Sequence, residues 1–169
     1  MNARLVDLDN SQVLGEVTNW VIDPDKKQIS ALMVKPAGML ARLRAVSTAD
    51  IVEYGPKIVV VKNASVLVDP NEIVHLPPLL RRKQHVIGSP VITASGKKLG
   101  GVEDVLFETT DSSIQKIYVQ PGILGMFNQP DLIIPIDKVI AIESKKIVVT
   151  DDSGEWQAIS QRAPVPSAN

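Results

Sequence analysis

The sequence predicts an all-β protein made of two small barrels in tandem, each of about five or six short strands with brief helical turns. Three observations lead there. The apolar residues, 44% of the chain, are mostly Val, Ile and Leu, while aromatics make up only 4%. β-Branched side chains pack well on a pleated surface, so this bias favours strands. The chain also repeats itself. A shift of 85 places Leu14, Gly15 and Val17 on Leu99, Gly100 and Val102, and Ile29, Val34 and Pro36 on Ile114, Val119 and Pro121. Self-similarity at a fixed period marks one structural unit used twice. Within each copy the local signals are those of strands and tight turns.

Each copy opens on a turn-forming cluster, DNSQ (9–12) and ASGK (94–97), in which Asn10 and Gly96 are the residues expected at positive φ. Gly15 and Gly100 follow inside a strand pattern, where a missing side chain marks a bulge or a close backbone approach. VTNWVIDPDKKQISALMV (17–34) and VEDVLFETTDSSIQKIYV (102–119) each read as strand, polar turn, strand, with a loop of about five residues. Past the proline the second copy is three residues longer, so that Val46, Thr48 and Ile51 match Ile134, Ile136 and Val139 at a shift of 88. VSTADIVEYGPKIVVVK and IIPIDKVIAIESKKIVVT then each give a short strand, a helical turn and a hairpin closing on a β-branched strand, and GEWQAI (154–159) adds a last strand.

Between the copies lies NASVLVDPNEIVHLPPLLRRKQHVIGSP (63–90). Asp69-Pro70-Asn71 is expected to start a short helix, and Pro77-Pro78 to stop or bend it. The boundary is placed near 78–82, with the first barrel over 1–78, the second over 79–160, and a polar, proline-rich tail over 161–169 expected to be disordered.

With the repeat in place, each copy resembles a PRC-barrel domain, the small β-barrel of the photosynthetic reaction centre H subunit's cytoplasmic part and of the C-terminal half of the bacterial ribosome maturation factor family. VIGSPVITASGKKLGGVEDVLFETTDSSIQKIYVQPG (86–122) is similar to the family's opening, and DLIIPIDKVIAIESKKIVVT to its closing segment, with the Ile-Pro motif at Ile134-Pro135. The first copy lacks the IGSP lead-in, carries Val46-Ser47 in place of Ile-Pro, and is shorter over AGMLARLRAVS (37–47). The resemblance implies two tandem PRC-type barrels, a role in assembly and binding, and no catalytic residue set to carry over.

The residues themselves argue the same way. Lys and Arg total 18 against 19 Asp and Glu, a net charge of −1, so there is no global pull toward nucleic acid or anionic lipid. The absence of cysteine excludes disulfides, thiolate nucleophiles and Cys-based zinc sites. No basic region followed by an apolar run opens the chain, and no apolar stretch approaches the roughly 20 residues of a membrane-spanning helix. A cytoplasmic protein without direct membrane insertion is expected. His75 and His85, the two histidines, have no partner at metal-ligand spacing. Glu103, Asp104, Asp131, Asp137, Asp151 and Asp152 fall mainly at turns, where solvation accounts for them; GGVEDV is a lone glycine pair, and no serine sits in a GxSxG elbow. No enzymatic activity, metal or cofactor is expected.

Two features are left for partners. The loops PAGMLARLR (36–44) and PGILGMFNQP (121–130) both combine Gly with Met and Leu, and Met39, Leu40, Leu124, Met126 and Phe127 are the candidate contact residues. They either present apolar side chains to a partner protein or fold over the barrel ends, and the pattern alone leaves both readings open. The second feature is the run Arg81-Arg82-Lys83, with Arg42 and Arg44 as candidate neighbours, suited to RNA phosphates or an acidic protein surface but without an aromatic stacking platform. The expectation is an adaptor for protein partners, a membrane-associated complex or a homodimer among them, with an RNA- or ribosome-associated factor as the alternative.

Overall fold

The computed structural model describes residues 3–38, 42–82, 85–122 and 131–151, with the backbone of 157–159. Its contacts divide the chain into two units: residues 1–84 with 107–113, and residues 85–106 with 114–169.

In unit 1, β1 (Arg4–Asp7), β2 (Val13–Asp23), β3 (Gln28–Pro36), β4 (Arg44–Ser47), β5 (Ile51–Tyr54) and β6 (Ile58–Val61) form one sheet in the order β4-β3-β2-β1-β6-β5. All neighbours are antiparallel except β1 and β6, the first and last strands, which run parallel. A 3-10 turn at Thr48–Asp50, capped by the Ser47 hydroxyl, carries β4 round into β5. A short helix, α1 (Leu76–Arg81), follows the sheet.

The second unit repeats this order. β7 (Pro90–Thr93), β8 (Lys98–Phe107), β9 (Ile114–Gln120), β10 (Asp131–Pro135), β11 (Val139–Ile142) and β12 (Ile147–Val149) stand as β11-β12-β7-β8-β9-β10, again with a parallel first-to-last pair, β7 and β12. The GEWQAI expectation holds: β13 (Gln157–Ile159) pairs antiparallel with β10 and makes this sheet seven-stranded. In unit 1 the equivalent strand β4 is sealed by a single residue, Val68, which exchanges two backbone hydrogen bonds with Ala45 at 2.9 and 3.0 Å. The chain is therefore all-β, two tandem small barrels.

Most of the apolar positions that matched in the sequence lie in the two cores, to which the first strands add Leu5 and Val91. Leu5, Val17, Ile29, Leu32, Val34, Val46, Val59 and Val61 fill unit 1, and Val91, Val102, Ile114, Ile117, Val119, Ile134, Ile147 and Val149 fill unit 2, none more than 2% exposed. Burying each such side chain contributes about 1.5–3 kcal/mol.

Even the irregularities recur. Leu5 pairs with Gly15 and Val6 with Val13, leaving Leu14 as a bulge; Val91 pairs with Gly100 and Ile92 with Lys98, leaving Leu99. At the other edge Val52 and Ile140 are the bulged residues, turned outward at 56% and 55% exposure. The glycines beside the first bulge serve a close approach. A Cβ on Gly15 would stand 2.8 Å from the Pro36 Cα and overlap the Lys35 carbonyl oxygen, and one on Gly100 (φ +148°) would stand 3.0 Å from the Pro121 Cα and overlap the Gln120 carbonyl oxygen. The repeated Gly and the repeated Pro are thus two sides of one contact.

Two expectations need correction. The residue at positive φ in the first turn is Ser11 (φ 55°) rather than Asn10, which instead bonds to Asp7 through its backbone N–H at 3.0 Å. Ser11 is the residue 85 before Gly96 (φ 89°), and Lys27 and Ser112 form a second such pair at φ 53° and 61°. Pro77-Pro78 do not stop a helix; they lie in the first turn of α1, where a missing N–H costs nothing and a fixed φ suits the helix. The preceding 3-10 turn, Pro70–Glu72, is set by a capping box between Asp69 and Glu72 and has already ended.

Candidate functional site

Of the residues expected to touch partners, Met39, Leu40, Leu124, Met126, Phe127 and Lys83 lie outside the described residues. What leads into the first loop is defined. Ala37 N–H bonds the Leu14 carbonyl at 3.0 Å, and Gly38 follows at φ +128°.

The basic residues are placed. Arg81 ends α1 on the surface, and Arg82, its C-cap, sets Nη1 2.8 Å from Asp25 Oδ2. Both side chains are open to water, 44% and 73% exposed, so this pair contributes no more than about 1 kcal/mol. Arg42 and Arg44 lie instead near Asp69. The Asn71 backbone and side-chain N–H groups hold that carboxyl below its ordinary range, and the two arginines add smaller pulls in the same direction. Asp25 thus draws on Arg82 and Asp69 on Arg42 and Arg44.

The carboxylates behave as turn caps. Buried Asp7 accepts from the Asn10 and Ala64 backbone N–H groups at 3.0 and 3.1 Å, tying the turn after β1 to the one after β6. In unit 2 Thr93 occupies the equivalent position, and the cap comes from Asp151, whose Oδ1 accepts from Ser95 N–H at 2.9 Å. The Ser95 side chain and backbone, with Thr93, hold the Asp151 carboxyl low; Ser113 does the same for Asp111. Glu108 accepts from the N–H groups of Thr109 and Thr110. His75 precedes α1 without a side-chain capping bond, and the His85 carbonyl accepts from the Ser89 hydroxyl. Among the described residues no three His, Asp or Glu side chains converge as metal ligands, and no helix is long and apolar enough to cross a membrane.

Two features of unit 1 went unread in the sequence. The first is an aromatic group: Trp20 stacks on Tyr54 at 6.1 Å, and Phe107 meets both rings at 5.2 Å. Burial pushes the Tyr54 hydroxyl up in pKa, partly offset by its hydrogen bond with the Ser112 hydroxyl. Unit 2 has Val105 and Ile142 at the positions of Trp20 and Tyr54, so comparing the copies isolates this pair as peculiar to the first.

The second is the outer face of β2–β4. Val21, Ala31, Met33 and Ala45 form an apolar floor on which α1 lays Leu76 and Leu79, with Ile73 and Leu80 at the margin. Ala31, Ala45 and Leu76 are fully buried. The two alanines let a helix approach the sheet closely. The equivalent positions in unit 2 hold Leu106, Lys116, Tyr118 and Ile133, larger and partly polar, and Leu106 is exposed. That difference between copies, together with Leu-x-x-Leu at 76–79, was the available signal.

Comparison with known proteins bears on the second unit. Residues 82–155 match the family model described as the PRC-barrel domain. No curated protein matches the chain.

Proposed function

We propose that this chain, whose residues 82–155 match the PRC-barrel domain family, is a non-enzymatic adaptor that binds partner proteins through its barrel surfaces and the apolar loops at 36–44 and 121–130. The PRC-barrel suits an interaction and assembly module. One observation carries the reading: between the two units the sequence keeps core residues, bulges, glycines and positive-φ positions, while the acidic residues change place and act as turn caps. A fold used twice without a repeated reactive group is a scaffold. Two linked modules raise the effective concentration of the second contact once the first has formed, so weak sites become useful together.

The test is affinity capture from the native host with the wild-type chain and with Met126→Asp plus Phe127→Asp, partners being read by mass spectrometry. Loss of the captured proteins in the variant is expected; capture that survives it counts against the loops. Nucleic-acid association through Arg81 and Arg82 would instead weaken steeply with salt.

A further inference from the structure

We infer that the β2–β4 face of unit 1 is an exchangeable helix-docking groove, occupied in cis by α1 and open to a partner's amphipathic helix of the same pattern. The inference rests on the adaptor reading but uses a surface distinct from the loops.

α1 is a poor helix taken alone. It has six residues, two of them prolines without an N–H, and its N-cap makes no side-chain bond. The first turn of any helix leaves its N–H groups without internal partners, so only the last residues of α1 close helical hydrogen bonds. Isolated helices this short do not persist in water, because nucleation fixes several residues for each bond gained. α1 is helical because the floor of Val21, Ala31, Met33 and Ala45 accepts Leu76 and Leu79. The ion pair at its C-cap, Arg82 with Asp25, is solvent-exposed and holds weakly.

The floor, by contrast, lies on three strands held by their own ladder hydrogen bonds. Its two alanines make room for a helix, whereas the equivalent face of unit 2 carries Lys116 and Ile133 there. The seated α1 defines what fits: apolar side chains at i and i+3, and an arginine beyond the C-terminal end to meet Asp25. A partner helix with that spacing and charge competes for the groove by helix-in-groove recognition, its apparent affinity reduced by the fraction of time α1 is seated.

The probe is a fluorescent peptide of residues 69–82, titrated into full-length protein. Leu76→Asp plus Leu79→Asp vacates the groove, and this variant is expected to bind the peptide at least about tenfold more tightly than wild type. Adding Met33→Glu should abolish binding, whereas Met126→Asp plus Phe127→Asp should leave it unchanged, which separates this surface from the loops. In wild type, hydrogen exchange should show the amides of residues 80–82 opening ahead of those in β1 and β6. A folded double variant that ignores the peptide overturns the inference, as do α1 amides that exchange only with global unfolding. Wild-type self-association that is lost in Leu76→Asp would make a second copy the occupant and overturn the assignment to a different partner.

Discussion

Gly100→Ala tests whether the repeated Gly–Pro contact holds each unit together. At φ +148° an alanine is strained whatever its surroundings, by about 1–3 kcal/mol. Its Cβ would also stand 3.0 Å from the Pro121 Cα and overlap the Gln120 carbonyl, main-chain groups at the end of β9 and just past it that cannot rotate away. Forcing them apart adds about 1–3 kcal/mol, as overpacking does. The sum, about 2–6 kcal/mol, is a large part of the 5–15 kcal/mol typical of a domain. Gly96→Ala is the control: it shares the positive φ (89°) but meets nothing within 4 Å, so only the strain of about 1–2 kcal/mol remains. Gly15→Ala isolates the other term, since its Cβ would be 2.8 Å from the Pro36 Cα and no positive φ is involved. Urea unfolding followed by circular dichroism measures all three, a constant m-value confirming that the native state has lost stability. Gly100→Ala should be the most costly. If it costs no more than Gly96→Ala, the close approach contributes nothing and the reasoning fails.

Other outcomes follow from the capping groups and the sheet edge. Ser95→Ala should move the Asp151 carboxyl back up toward 3.8, because the Ser95 side chain is the first cause of its lowered pKa; an NMR carboxyl titration unchanged by the substitution would contradict this. Asp111 and Asp151, being lowered in the folded state, contribute stability above about pH 4 that is lost as pH falls through their folded pKa values. Tyr54 has the opposite sign. Its raised pKa leaves stability untouched below 10.0 and reduces it as pH rises beyond that, which ultraviolet phenolate titration against the unfolded chain can follow. Ending the chain at Asp151 removes β13 and leaves β10 an open edge, so light scattering should show increased association; a truncated chain that stays monomeric would assign β13 no protective role.

Much of the fold was legible because a duplicated sequence is its own control. Seven of the eight core positions in each unit, Val17 with Val102 through Val61 with Val149, are the matched apolar sites, and their period-2 burial follows from strand geometry; Leu5 and Val91 correspond only through their pairing with Gly15 and Gly100. Ser11 was legible in principle, since it stands 85 residues before Gly96; preferring Asn10 followed residue type over register. The reading of Pro77-Pro78 failed because proline terminates a helix from within but starts one from its first turn, and which applies depends on the floor that receives Leu76. Trp20, Tyr54 and Phe107 meet only because the fold gathers residues far apart in sequence, and no local pattern announces that. The apolar face under α1 was the least legible, because residues that seat a helix have the composition of ordinary core.

The parallel pairing of first and last strands has a mechanical consequence. Arg4–Asp7 lies in register along Ile58–Val61, and Ile147–Val149 along Val91–Thr93. Tension applied between Arg4 and Val61, or between Pro90 and Val149, therefore pulls these neighbours past each other lengthwise, loading the hydrogen bonds of the ladder together instead of peeling them one after another. A unit so built should give way abruptly and late when stretched. Single-molecule extension showing gradual, strand-by-strand release at low force would refute this, and abrupt release would identify each barrel as a tension-bearing link.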